Sequence, residues 1–245
     1  MNIEDRLLTK TAANGRSGKS MAPKGIVVHY VANPGSSALG NRNYFENGSG
    51  GAGVSAHYVI GLNGEILRCV PDNECAAHAG KSFGPKWDEM AKTNNSTMIG
   101  IECCHPTADG KFNSYTYDSL VELVADLCKR HNLNPINAVY RHYDVCGKQC
   151  PLFYVNKADE WNALKNKIKA QYEKITGKQA APAAPAAPAP SAAAGNTPSA
   201  WAADAWVWAK NYNLNDGTRP KDQATREEVA SFMYAFYNRI VKALL

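Results

Sequence analysis

The sequence predicts an α/β domain, a mixed central β-sheet flanked by helices, followed by a Pro/Ala-rich linker and a small all-α C-terminal module. Three observations predict it. Short runs of β-branched residues alternate with segments of helical periodicity. Two of those runs meet across Asn63-Gly64, the strongest short hairpin signal. Residues 180–194, AAPAAPAAPAPSAAA, repeat a proline that blocks a helix and an alanine that offers no core.

Taken in chain order, Gly25 to Val31 reads as a buried strand, Ser36 to Glu46 as a helix and Gly48 to Gly53 as a glycine-rich loop. Ser55 to Gly61 and Glu65 to Val70 are the two arms of the hairpin, and Thr97 to Cys103 is another buried strand. Over 116–131, Leu120, Leu123, Val124, Leu127 and Cys128 fall on one face at helical spacing. A short strand at Ala138 to His142 runs into a loop, and Asp159 to Lys174 closes the domain as an amphipathic helix. The organisation is therefore a domain over 1–175, a linker over 176–196 and a helical module over 197–245. Extended at ~3.1 Å per residue, the linker's proline-rich core reaches roughly 45 Å.

At 245 residues, with 44% hydrophobic and 20% charged positions, the chain suits one ordinary domain plus a small piece. No run approaches the ~20 apolar residues that cross a bilayer, which predicts no membrane insertion. The first residues, MNIEDRLLTK, place acids where an export signal needs an apolar core, so synthesis in the cytoplasm without a signal peptide is expected. The net charge of +5 is spread along the chain with no basic stripe, which argues against nucleic acid as a partner. Seven cysteines are read as mostly buried thiols with at least one metal ligand among them. Adjacent Cys103 and Cys104 point to opposite faces of a strand, so they do not share a site.

The chemistry concentrates at strand ends. His29 closes the first strand and His142 the last, and Cys150 follows His142 with seven residues between them. Two histidines and a cysteine supply three corners of a tetrahedron around zinc, which accepts N and S ligands and in a catalytic site keeps the fourth corner open. From residue types alone other readings stand: packed strand-end histidines, Cys146 with Cys150 as half of a structural zinc site, or Cys150 as the nucleophile of a thiol hydrolase.

Five strings in order carry a resemblance: Ile26-Val27-Val28-His29-Tyr30; Val54-Ser55-Ala56-His57-Tyr58-Val59-Ile60 with Asn63-Gly64-Glu65; Ala77-His78-Ala79-Gly80; Ile99-Gly100-Ile101-Glu102; and Arg141-His142 through Lys148-Gln149-Cys150-Pro151. Over roughly residues 20–170 the chain resembles the zinc-dependent N-acetylmuramoyl-L-alanine amidases, the type-2 group related to the peptidoglycan-recognition proteins. The resemblance implies one zinc per chain on His29, His142 and Cys150, with Glu102 as general base and Lys148 as oxyanion donor. It implies cleavage of the amide between N-acetylmuramic acid and the L-alanine of the stem peptide. His78 and His57 are assigned to substrate contact or to orienting a ligand. Two departures stand out: Ala56 occupies the position where some relatives carry a catalytic tyrosine, and Ala77 replaces a tryptophan before His78. The first shifts the base role towards Glu102.

In the C-terminal module, Trp208-Ala209, Asp216-Gly217-Thr218 and the capping box Thr225-Arg226-Glu227-Glu228 resemble one S-layer homology repeat. That resemblance implies a secondary cell-wall polymer as partner. The other reading is a helical hairpin that makes the chain a homo-oligomer, since Val229, Phe232, Met233 and Phe236 form an apolar stripe on a unit too small for its own core. The whole chain reads as a modular peptidoglycan hydrolase of endolysin or autolysin type, acting at the bacterial wall after release. The rivals are a non-catalytic peptidoglycan-binding module of the same fold and a protein in which zinc only staples the structure.

Overall fold

The computed structural model describes residues 1–80 and 95–177. The module at 197–245 and the linker from residue 178 onward lie outside the described residues. Among the described residues there are six strands: β1 (Ile3–Asp5), β2 (Gly25–Tyr30), β3 (Tyr58–Ile60), β4 (Ile66–Arg68), β5 (Met98–Cys103) and β6 (Val139–Arg141). The helices are α1 (Ala38–Glu46), α2 (Ser114–Arg130), α3 (His142–Cys146), α4 (Leu152–Asn156) and α5 (Ala158–Thr176). The strands form one sheet in the order β1-β4-β3-β5-β2-β6, with β3 and β4 antiparallel across the Asn63-Gly64 turn and all other pairs parallel. This is the mixed α/β architecture expected from the sequence.

Side-chain alternation divides the sheet into two working faces. Ile26, Val28, Ile99 and Ile101 point to one side, where they pack with Leu120, Leu123 and Leu127 of α2 and with Leu164 and Ile168 of α5. Full burial stabilises by roughly 1.5–3 kcal/mol per large aliphatic side chain, so this layer anchors the domain. Val27 and Val59 point to the opposite side, and so do His29 and Glu102 two positions along β2 and β5. Cys103 and Cys104 fall into separate core clusters, one on each face, and all seven cysteines are buried free thiols.

Local chemistry sets the boundaries. Asn113 accepts a hydrogen bond from Thr116 N and caps α2, which therefore begins before the apolar periodicity does. Lys129 and Arg130 close it, favourably placed at the helix's negative end. The structure differs from the sequence expectation in three places. β1 is a short strand recruited beside β4, and the loop expected after β6 contains α3 and α4. The hairpin arms are also shorter than their apolar runs. Away from the site, Asp72 accepts hydrogen bonds from Tyr58, Arg130 and His131 and ties β3 to the end of α2.

Candidate active site

The sheet register assembles the site. His29 of β2 and Glu102 of β5 are register partners, so their side chains leave the same face side by side. Arg141 pairs with Val28, which brings His142, the first residue of α3, next to His29. Asp144 accepts hydrogen bonds from the backbone N and guanidinium of Arg141 and fixes the entry into α3. Gly147 ends that helix at φ 83°, a left-handed conformation that glycine adopts without strain. The chain then turns back so that Tyr143 N donates to the Cys150 carbonyl at 3.0 Å. All three strands are parallel here, and the cluster lies at their carboxyl ends, where α/β sheets place ligands.

His29, His142 and Cys150 each offer a ligand atom within 4.8 Å of the others, and all three residues are buried. Cys150 Sγ lies 3.8 Å from His29 Nδ1, and the two imidazole centroids are 4.5 Å apart. Burial, reinforced by the positive charge of Lys148, lowers His142 to about 3. Burial likewise holds His29 well below its usual range, with His142, His78 and Lys148 adding to the effect. Both rings are therefore neutral at pH 7 and keep a lone pair to donate. Burial pushes the Cys150 thiol far up, so without a cation it is no thiolate nucleophile. That counts against the thiol-hydrolase reading.

Glu102, itself half-buried, carries a buried carboxylate oxygen, Oε2, with no hydrogen-bond partner among the described residues. Burial raises its pKa to about 8, with Lys148 pulling the other way. A carboxyl poised near neutrality suits proton transfer. Lys148 is exposed on the wall of a cavity of about 430 Å³ that reaches His142 and His78. Ala52, Val54, Ala77 and Ala79 supply small apolar side chains to the same wall.

The two remaining histidines behave differently from each other. His57 is fully buried, and both ring nitrogens are committed to backbone: Nδ1 accepts from Gly100 N at 2.9 Å, and Nε2 donates to the Glu74 carbonyl at 2.9 Å. That leaves it no polar atom for a substrate. His78 lines the cavity, but its ring nitrogens face Met98 O and His29 Nε2, both at 3.0 Å. Asn95 was not singled out from the sequence. Its Oδ1 accepts from His78 N and Ala79 N, and it lines the cavity as well. One asparagine in a polar stretch carries no signal until the fold sets it against the Ala77–Gly80 turn.

Fold and site define a class: an α/β domain with a buried N, N, S donor set at the carboxyl ends of parallel strands, beside a half-buried glutamate and next to an open cleft. The chain belongs to the N-acetylmuramoyl-L-alanine amidase family, whose sequence profile matches residues 19–152, more than half its length. A probable N-acetylmuramoyl-L-alanine amidase of Bacillus licheniformis is 39% identical over 153 residues, covering 61% of this chain and 42% of the relative. The amidase BlyA of Bacillus subtilis (strain 168) is 35% identical over 175 residues, covering 68% of this chain and 46% of BlyA. The chain thus spans less than half the length of these curated relatives. Among solved structures, a mutant endolysin from Bacillus subtilis superposes with a TM-score of 0.55 at 31% identity, over 69% of this chain and 99% of that one.

Proposed function

We propose that this protein is a zinc-dependent peptidoglycan amidase that cleaves the bond between N-acetylmuramic acid and L-alanine, acting as a wall-lytic enzyme of endolysin or autolysin type. The observation that carries the reading is the His29–His142–Cys150 cluster, three neutral or ionisable donors converging beside a cleft. The donor set fits zinc. Zn–S of ~2.3 Å and Zn–N of ~2.0–2.1 Å at a tetrahedral angle separate S from N by about 3.6 Å, and Cys150 Sγ stands 3.8 Å from His29 Nδ1. Bound there, zinc would supply Lewis-acid polarisation of the scissile carbonyl, a lowered pKa for water and a positive charge drawing Glu102 towards its ionised form.

The chain's own residues do the rest. Glu102 takes a proton from the attacking water and delivers it to the departing alanine nitrogen, so the amide leaves as an amine and a carboxylate remains on the lactyl group. Lys148, on the cleft wall, donates to the oxyanion of the tetrahedral intermediate. His57 holds Gly100 of β5 to the Glu74 loop, and His78 supports His29 rather than meeting substrate directly.

Digestion of purified peptidoglycan tests the function. New alanine amino termini and free lactyl carboxyls should appear together, with no new reducing sugar ends. A protein that sediments with the wall yet releases neither group would instead be the non-catalytic binding module. We further propose that 197–245 is a wall-binding or self-associating module on a Pro/Ala linker. Deleting it should leave cleavage of a soluble muropeptide unchanged but lower binding to intact wall, because tethering raises effective concentration without touching the active site. Equal wall binding by the full and shortened chains would remove the targeting role, and a monomeric full chain at micromolar concentration would remove self-association.

A further inference from the structure

We infer that His78 is a positioning residue that fixes the tautomer of His29, so that His29 meets the metal through Nδ1. The inference rests on the metal-site reading above, but its geometry is independent of any ion. His78 Nε2 lies 3.0 Å from the Met98 carbonyl oxygen, which can only accept a hydrogen bond. His78 Nε2 therefore carries the ring's proton, and in a neutral imidazole Nδ1 is then a lone pair. That lone pair lies 3.0 Å from His29 Nε2. The pair bonds only if His29 carries its own proton on Nε2; the other tautomer would set two lone pairs against each other. His29 Nδ1 is thereby left unprotonated, and it is the nitrogen that faces Cys150 Sγ at 3.8 Å.

The surroundings hold His78 in this role. Its ring sits edge-on to His29, with centroids 5.1 Å apart, and edge-on to His57 at 5.8 Å. Gly100 leaves the space for it: a Cβ there would stand 2.5 Å from His78 Cγ, a separation real side chains do not tolerate. From behind, Asn95 Oδ1 accepts from His78 N and Ala79 N and keeps the turn in place. Two imidazoles and a carbonyl thus form one directed hydrogen-bond chain, in which His29 Nε2 donates to His78 Nδ1 and His78 Nε2 donates to Met98 O. Such outer contacts orient a ligand ring and raise its basicity, and losing one typically costs 10–100-fold in metal affinity or activity.

Two measurements on the full chain test this. Nitrogen-15 spectra of the histidine rings in the metal-free protein should show both His29 and His78 protonated on Nε2, with each Nδ1 bare. A proton on Nδ1 of either ring would overturn the inference, whether or not zinc ever binds. Zinc affinity, read by competition with a chromophoric chelator, should fall 10–100-fold in His78→Leu, which keeps bulk but accepts no hydrogen bond. His78→Asn, whose carbonyl takes the place of Nδ1, should recover most of that loss. Gly100→Ala should weaken zinc in the same direction by displacing an intact His78. Parental affinity in His78→Leu, or an asparagine variant no better than leucine, would reduce His78 to packing and overturn the proposal. A parent protein that binds no zinc would sink the metal reading instead, with the ring spectra still deciding the tautomer.

Discussion

Cys150→Ser is expected to reduce peptidoglycan hydrolysis at least about 10³-fold, equivalent to ~4 kcal/mol of lost transition-state stabilisation. Serine keeps the shape of the side chain but would offer zinc a hydroxyl in place of a soft thiolate, so one of the three candidate donors among the described residues would be lost. Metal analysis of the parent should find about one zinc per chain, and of the variant much less. Exhaustive chelation should reproduce the loss in the parent, and added zinc should reverse it. Undiminished hydrolysis after complete metal removal would reject the cluster as the catalytic centre. Retained fold with full activity would leave zinc no role at all, whereas loss of both fold and activity on chelation would make it a structural staple.

Glu102→Gln should lower kcat by roughly 10²–10⁴-fold, the usual contribution of a positioned proton-transfer group. The substitution preserves volume, so zinc content should match the parent's; retention of more than about a tenth of parental kcat would show that the carboxylate does no chemistry. The same variant carries a pH signature in the metal-free protein. Burial raises the Glu102 carboxyl from an ordinary 4.5 to about 8 in the fold. Between those values the unfolded chain releases a proton that the folded chain keeps, so the parent loses stability as pH rises through that window. Glutamine never ionises and is spared. The melting-temperature difference should therefore move in favour of the variant from pH 5 to pH 8 and level off above. A difference independent of pH would mean that the Glu102 carboxyl is not desolvated as its surroundings imply.

Much of this architecture is legible in the chain because its causes are local. The apolar runs Ile26-Val27-Val28 and Ile99-Gly100-Ile101 need burial and read as interior strands, and Asn63-Gly64 closes a hairpin wherever alternating strands flank it. The apolar spacing of Leu120 to Cys128 specifies which face of α2 meets the sheet. The short elements escaped because local pattern does not produce them. β1 exists through its pairing with β4, and α3 and α4 are single turns held by Asp144, Gly147 and the return of the chain to Tyr143.

The residues of the site divide along the same line. Their types and order, with His29 and Glu102 near strand ends and His142 and Cys150 just beyond the last strand, are written in the strings, since side-chain alternation already puts His29 and Val27 on one face. What each histidine does is not written there. His57 and His78 sit in comparable strings, yet one is spent on the backbone of β5 and the Glu74 loop while the other bonds a candidate ligand. Nor does spacing announce that Gly100 is empty so that an imidazole can fill it, or that Asn95 braces the turn behind it. Periodicity encodes which face a side chain takes, because that depends on the backbone a few residues either way. A contact among residues 29, 78, 98 and 150 depends on parallel register and on loops returning from distant parts of the chain, and those distances come into being only when the sheet closes.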